Sequence, residues 1–424
     1  MSFDPKDARA ARARELLAKG SICDDCLGGA FGKIGRGVSN AERGRELRRA
    51  WARGPAPQGK CWVCEDAFSE VGAWALRALA AAEGVEFSTY LFGVKLPLRW
   101  QEVEAHLVEV LELEQAEPAK HAWNRAVGKA FEALLGRGTV DFQDPDVLFT
   151  IDLETQDLTR HTASLFVYGR YRKLARDLPQ THWPCRACRG RGCAACGGTG
   201  KQYQDSVEEV VAAPFVAAAK GSGASLHGAG REDIDARMLG NGRPFVLEVL
   251  EPRRRSLDLV ALRAEVNREA RGRVEVGELR WAARGLVAAL KETPAEKTYR
   301  AVVSLDRAVT LAEVERAVAN LVGTIEQRTP RRVAHRRADL VRPRRVLTAS
   351  VIARGERVVE LTVRADGGLY IKELVSGDAG RTRPSLAANL GVEAAVTELD
   401  VLRIDSPRFP DSEPEPMDTR SNLA

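Results

Sequence analysis

All eight cysteines of the 424-residue chain fall into four CxxC units: Cys23/Cys26, Cys61/Cys64, Cys185/Cys188 and Cys193/Cys196. Each unit must turn two sulfurs toward one point, which constrains the fold more than any other feature. The start of the chain, "MSFDPKDARAARARELLAKG", lacks the apolar core and small-residue cleavage site of a secretory signal. Cysteines at this spacing therefore read as metal ligands rather than disulfides. A catalytic zinc keeps an open position, usually beside His or carboxylate ligands, whereas four thiolates close the shell. Structural zinc is the expectation. Four units can be joined in three ways, and the sequence-local solution pairs Cys23/Cys26 with Cys61/Cys64 and Cys185/Cys188 with Cys193/Cys196. The glycines of "CRACRGRGCAACGGTG" suit the tight turns this needs. A thioredoxin-like redox role would need one CxxC opening a helix after a strand, and two clusters of two units argue against it.

A chain of this length suggests about two to four domains. With 29% charged and 44% hydrophobic residues, it fits a folded soluble protein, and no apolar run is long enough to span a bilayer. Cytoplasmic residence is expected. The formal charge is only +5, yet 51 of 64 basic residues are Arg. "QRTPRRVAHRRADLVRPRR", residues 327–345, holds eight of them against one acid, Asp339. Arg presents a fork of donors that suits phosphate, so this run favours a nucleic acid over a merely solvated basic face.

Residues 1–65 read as short helices flanking zinc knuckles, with "CLGGAFGKIGRGVSN" as a Gly-rich basic loop. Residues 66–182 alternate helix ("HAWNRAVGKAFEALLGRG") and strand ("VLFTIDL", "ASLFVYG") patterns, a small α/β module. At its end Phe166, Tyr168 and Tyr171 interleave with Arg170, Arg172, Lys173 and Arg176, a combination able to stack on bases and hold phosphates. Residues 183–204 form a CxxC linker. Ser206 and Glu209 stand at capping-box spacing and open a further domain, 205–405, as do Thr310 and Glu313 within it. There "RPFVLEVLEP", "RRVLTASVIA", "RVVELTV" and "GLYIKELV" read as strands. "SLDLVALRAEVNREA", "GELRWAARGLVAALKE" and "TLAEVERAVANLVGTIEQR" read as helices. The fold class is α/β of the α+β kind, with a large, mostly antiparallel sheet. Residues 406–424 have the composition of a flexible tail.

"GSGASLHGAG" lacks the Gly-Lys-Ser/Thr ending of a P-loop and does not open a helix after a clear strand. Its sequel "GRED" would present Arg231 and Asp233 side by side, with Arg237 and Arg243 close behind to receive phosphates around one carboxylate. "HGAGREDIDARMLGNGRPF", "EKTYRAVV" and "YIKELVSGDAGRTRPSL" resemble the signature segments of the Pus10 family of tRNA pseudouridine synthases. "CDDCLGGAFGKIGRGVSNAERG" with "CWVC" resembles that family's zinc-bearing accessory region. "DPDVLFTIDLETQDLTRHTASLFVYGRYRKLARDLPQT" resembles its THUMP module. The resemblance implies a pseudouridine-synthase catalytic domain behind a THUMP-containing, zinc-binding accessory domain. It implies that Asp233 is the catalytic aspartate, Tyr299 lies next to the base, Lys372 is the basic partner of the aspartate, and Arg231 and Tyr370 contact the substrate. It further implies action on uridine 54, 55 or both in the tRNA T-loop, contact with the acceptor end, and no cofactor for catalysis. A monomer is expected. The rival readings are a zinc-containing tRNA-binding or chaperone protein and a THUMP-type methyltransferase. The latter would need a doubly wound domain with a Gly-rich loop after its first strand.

Overall fold

The computed structural model describes residues 9–34, 37–52, 59–110, 112–113 and 116–405. Two compact units divide the chain, Met1–Ala163 and Ser164–Ala424. The expected flexible tail, 406–424, and residues 35–36 of the basic loop lie outside the described residues.

In the first unit, helices α1 (Arg9–Ala18), α2 (Asp24–Ala30) and α3 (Asn40–Leu47) surround the first two CxxC knuckles, and α4 (Val71–Ala81) follows. Strand β1 (Thr89–Lys95) then leads through α5 (Leu98–Val110) and α6 (Ala119–Leu135) to β2 (Thr139–Val140), β3 (Val147–Asp152) and β4 (Asp157–Thr162). The sheet order is β2-β1-β3-β4, with β1 parallel to β2 and β3. Periodicity explains the layering. Trp123, Val127 and Phe131 recur every fourth residue along α6 and are buried. Tyr90, Phe92 and Val94 alternate on β1, and Val147, Phe149 and Ile151 on β3. Phe92, Phe131 and Phe149 meet with ring centroids 5.0 to 5.3 Å apart, so helix and sheet close on one aromatic core.

The second unit begins with β5 (Leu165–Lys173), then α7 (Val207–Ala219), β6 (Gly223–Gly228), β7 (Arg237–Leu250), α8 (Leu259–Glu269), β8 (Val274–Val276) and β9 (Arg280–Trp281). It continues with α9 (Leu286–Glu292), β10 (Glu296–Leu305), α10 (Leu311–Ala319), β11 (Gly323–Arg328), β12 (Val341–Arg354) and β13 (Val358–Ala365). It ends with α11 (Ile371–Ser376), β14 (Thr382–Arg383), α12 (Leu386–Leu390) and β15 (Ala394–Asp405). Eleven strands form one sheet in the order β14-β11-β12-β13-β10-β15-β7-β5-β8, with β6 beside β7 and β9 beside β5. Every pairing is antiparallel except β15 with β7, which share only Asp400↔Arg237 and Val401↔Met238. This is the mostly antiparallel sheet the patterns implied, and not the doubly wound domain that a methyltransferase would require. Both capping signals hold: Ser206 accepts from the Glu209 N–H, and Thr310 with Glu313 forms a reciprocal box.

Four readings differ from the sequence patterns. "ASLFVYG" and the residues after it form β5, which pairs with β7 and opens the second unit, so the division falls at Ala163/Ser164 rather than near 182. "GLYIKELV" is a turn and α11, because Ile371, Leu374 and Val375 bury at helical spacing. "GELRWAARGLVAALKE" splits into β9 and α9. The expected helix over "TLAEVERAVANLVGTIEQR" ends at Ala319, and Gly323–Arg328 turns back as β11.

The short parallel seam is fastened by charge. Asp400, with 1% of its side chain exposed, accepts two hydrogen bonds from Arg237 at 2.9 and 2.8 Å, one from Arg176 at 2.9 Å and one from Arg300 at 3.2 Å. Gly240 (φ +52°) lets the backbones close, because a Cβ there would lie 1.8 Å from the Leu402 carbonyl oxygen. Burial alone would raise the Asp400 carboxyl, but the Arg237 hydrogen bond and the charges of Arg176 and Arg237 hold it below its ordinary value. Such a group stabilises the fold above an unfolded value of about 3.9, and its contribution disappears as the pH falls through the folded value. Asp400→Ala should cost about 3 kcal/mol at pH 7, read from urea denaturation, with the gap to wild type narrowing below about pH 4. A variant as stable as wild type at pH 7 would show that the seam does not depend on this cluster.

Candidate active site

Asp233 sits in the loop between β6 and β7, and the chain beneath it is held unusually firmly. Glu232 is buried, with 1% of its side chain exposed, whereas Asp233 beside it is about one-third exposed. Glu232 and Arg243 on β7 form a buried ion pair at 2.8 Å, each side chain 1% exposed. The Tyr171 hydroxyl lies 3.0 and 3.1 Å from the two Glu232 oxygens, and Gln180 donates to Tyr171 at 2.9 Å and to the Gly230 carbonyl at 3.0 Å. Arg243 also donates to the Ala229 carbonyl, and the Lys173 ammonium to the carbonyls of Leu178, Asp233 and Ile234 at 2.8, 3.2 and 3.0 Å. Gly230 adopts φ +76°, a left-handed conformation that favours glycine. Burial lowers Lys173 and Lys297 to about 8 each and pushes Tyr171 well up, with Glu232 adding to the effect.

Above this base, the Asp233 carboxylate is about one-third exposed and flanked by two cations. Arg332 donates to Oδ1 at 3.0 Å, and Lys372 Nζ lies 3.6 Å from Oδ2. Lys372 bonds more closely to Asp235, at 2.7 and 2.9 Å, which lowers the Asp235 carboxyl against the opposing effect of its burial. Arg332 is itself gripped by Glu373, its Nε donating at 2.6 Å, and its guanidinium lies 5.6 Å from the centre of the Tyr370 ring. Gln327 clamps the Tyr370 backbone through both its N–H (2.8 Å) and its carbonyl (3.0 Å). Tyr299 on β10 is 8% exposed. Burial pushes its hydroxyl up to about 12, with Arg243 lowering it and Asp233 raising it.

The structure thus brings Asp233, Tyr299, Lys372 and Tyr370 into one neighbourhood. Arg231 turns aside and lies over the Trp183 ring at 5.7 Å. Arg332, the direct partner of Asp233, is indistinguishable in sequence among the eight arginines of residues 327–345 until β11 and β12 bring that segment against α11. Arg237 and Arg243 do not ring the carboxylate as phosphate receptors, because Asp400 and Glu232 occupy them. Of the stacking platform expected from Phe166, Tyr168 and Tyr171, only the first two rings remain partly exposed. Tyr171 is buried on Glu232, and Phe166 and Tyr168 pack against Ala229, Val246 and Leu290.

Residues 166–405 match the family model described as "Pus10, C-terminal", and residues 74–152 match "Pus10 THUMP domain, archaeal". A tRNA pseudouridine synthase Pus10 from Halorubrum lacusprofundi is 47% identical over 408 residues, covering 93% of this chain and 95% of its own. The chain belongs to the Pus10 family. A second relative of the same name, from Methanothrix thermoacetophila, is 43% identical over 92% of this chain and 93% of its own. A solved Cbf5-Nop10-Gar1 complex aligns with 47% of this chain and 45% of its own at 22% identity and a TM-score of 0.30, a likeness too slight to carry an argument. The region matching the family's C-terminal model holds Asp233, Tyr299, Arg332, Tyr370 and Lys372 together. The THUMP match accounts for the module of β1 and β3.

Both cysteine groups assemble locally, as expected. Cys23, Cys26, Cys61 and Cys64 form one tetrad and Cys185, Cys188, Cys193 and Cys196 the other, with the sulfurs of each within 4.8 Å of one another. A tetrahedral zinc with Zn–S of about 2.3 Å needs sulfurs about 3.8 Å apart. Cys23 and Cys64 are 3.7 Å apart, and the second tetrad gives 3.7 to 4.0 Å. In that tetrad the amides of Gly192, Cys193 and Gly200 donate to the Cys188 and Cys196 sulfurs at 3.2 Å. Four soft donors with amide support fit a structural zinc.

The buried base of the Asp233 loop has a measurable consequence. Glu232→Gln leaves the Arg243 guanidinium without its countercharge and should lower stability by about 3 to 5 kcal/mol in urea denaturation. The double variant Glu232→Gln/Arg243→Met should recover part of that loss. No recovery would mean that Glu232 acts through Tyr171 rather than through the ion pair.

Proposed function

We propose that this chain is a tRNA pseudouridine synthase that isomerises uridine 54, uridine 55 or both in the T-loop, with Asp233 as the catalytic group. Membership of the Pus10 family along nearly the full length of relatives bearing that name carries the reading. The setting of Asp233 supports the residue assignment: it is a partly exposed carboxylate on a rigid loop, between Arg332 and Lys372 and near Tyr299.

The reaction breaks the bond from N1 of uracil to C1′ of ribose and makes one from C5 to C1′. C5 gives up a proton and N1 gains one, so nothing is oxidised and no atom is added. A carboxylate suits this as a nucleophile toward sugar or base, or as acceptor of a ribose proton, without a cofactor. Arg332 and Lys372 are positioning residues that aim it. The uridine must leave its stack, at a cost of a few kcal/mol that is smaller in a loop than in a duplex. Stacking on Tyr299 offsets roughly 1 to 3 kcal/mol of this, and Tyr370 and Arg231 contact the same nucleotide or its neighbours. The THUMP unit holds the acceptor end of the tRNA. Zinc, in both tetrads, supplies cross-links only, because four thiolates leave no open position.

Unmodified tRNA transcript incubated with the purified chain and no added cofactor should gain pseudouridine at 54, 55 or both. Asp233→Asn should bind tRNA as wild type does but turn over at least about 10³-fold more slowly. Product from that variant at the wild-type rate would overturn the assignment. A thermal shift on adding S-adenosylmethionine would favour the methyltransferase rival. Metal analysis should find about two zinc ions per chain, and chelation should lower the unfolding temperature by more than about 5 °C. Full stability after complete removal would deny zinc its structural role.

A further inference from the structure

The second cysteine tetrad does more than close a loop. Residues 183–204, "WPCRACRGRGCAACGGTGKQYQ", contain four basic residues and no acid. Their two ends are laced together: Cys185 N–H donates to the Gly200 carbonyl at 2.7 Å, Gln202 N–H to the Trp183 carbonyl at 2.9 Å, and Trp183 meets Tyr203 edge to face at 5.7 Å. Gly192 and Gly200, both at positive φ, allow the two arms to touch, since a Cβ on either would lie 2.6 or 2.4 Å from a carbonyl oxygen of the opposite arm. The result is a small rigid finger.

The charges of this finger face outward. Arg186, Arg189 and Arg191 are exposed, and among the described residues the guanidinium groups of Arg186 and Arg189 have no hydrogen-bond or ion-pair partner. Arg191 uses its Nε on the Cys188 carbonyl, and only Lys201 is neutralised, by Glu209. The base of the finger also joins the candidate site, because the Arg231 guanidinium, two residues before Asp233, lies over Trp183. An arginine cluster without acids, prepaid in conformational entropy by its metal and stacked against the loop carrying Asp233, matches a phosphate backbone.

We infer that this finger is an RNA-contacting element that grips the backbone of the substrate tRNA beside the nucleotide presented to Asp233. The occupant follows from the proposed function above, and the contact itself goes beyond it. Arg186, Arg189 and Arg191 bind phosphates, Trp183 and Arg231 relay the finger's position to the Asp233 loop, and the metal fixes the spacing.

The test is the salt dependence of tRNA binding by the full-length, metal-loaded chain and its Arg186→Ser/Arg189→Ser/Arg191→Ser variant. Metal content and unfolding temperature are matched first. Wild-type affinity should fall along a log–log line, and the slope of the variant should be shallower by about 2 to 3, the release expected for three phosphate contacts. The corresponding triple Lys variant should restore most of the slope. Unchanged affinity and slope in the Ser variant would overturn the inference, as would weaker binding with an unchanged slope. Binding is read without turnover. A chain that grips tRNA through the finger yet forms no pseudouridine would therefore sink the proposed function and leave this inference standing.

Discussion

The contact on which the candidate site depends is the seam between β7 and β15. Only two residue pairs join these strands, yet the seam connects the part of the sheet that carries Asp233 to the part that carries Tyr299, Arg332, Tyr370 and Lys372. Backbone pairing over two residues is too short to hold such a junction alone. Asp400 adds to it by accepting from Arg176, Arg237 and Arg300, which come from three separate stretches of chain, and Asn241 on β7 brackets the Ile404 backbone on β15 with two hydrogen bonds of 3.0 Å. A buried carboxylate among cations is tolerated because every charge has a partner with good geometry. Side chains therefore do here what a long ladder of backbone hydrogen bonds does elsewhere in the sheet.

A second device lies beneath the site. The loop from Ala229 to Ile234 has no regular structure, but Arg243, Gln180 and Lys173 bind its carbonyls one after another. That pins the backbone at the point where a side chain must be aimed, and leaves Asp233 partly exposed. Rigid support under an accessible carboxylate is what general acid–base or nucleophilic chemistry requires, because misplacement of about 1 Å can cost about 10²-fold in rate. The Glu232–Arg243 pair also brings a compensated charge into the interior, while above it Arg332 is shared between Asp233 and Glu373, and Lys372 between Asp233 and Asp235.

The cysteine tetrads and the mixed α/β character were readable in the sequence because each rests on local chemistry. CxxC spacing brings two sulfurs together whatever the rest of the chain does, and Ser206/Glu209 and Thr310/Glu313 are capping pairs within one helical turn. "GLYIKELV" failed for an equally physical reason: a short apolar run has no clear period, and its burial beside β15 and α12 decided for a helix. The boundary near 182 failed because β5 looks the same whether it pairs with β3 or with β7. Strand pairing is a long-range choice that leaves little trace in the strand itself.

The sequence by itself determined the cysteine knuckles, the amphipathic helices, the alternating strands and, by resemblance, the identity of Asp233, Tyr299, Tyr370 and Lys372 as candidates. Tertiary structure alone decided which cations meet which carboxylates. Arg243 went to Glu232, Arg237 to Asp400 and Arg332 to Asp233, and Arg231 turned to Trp183. Arginines in a run are chemically equivalent in one dimension. They acquire distinct roles only when the sheet fixes which carboxylate lies within about 3 Å and how much water is left between them.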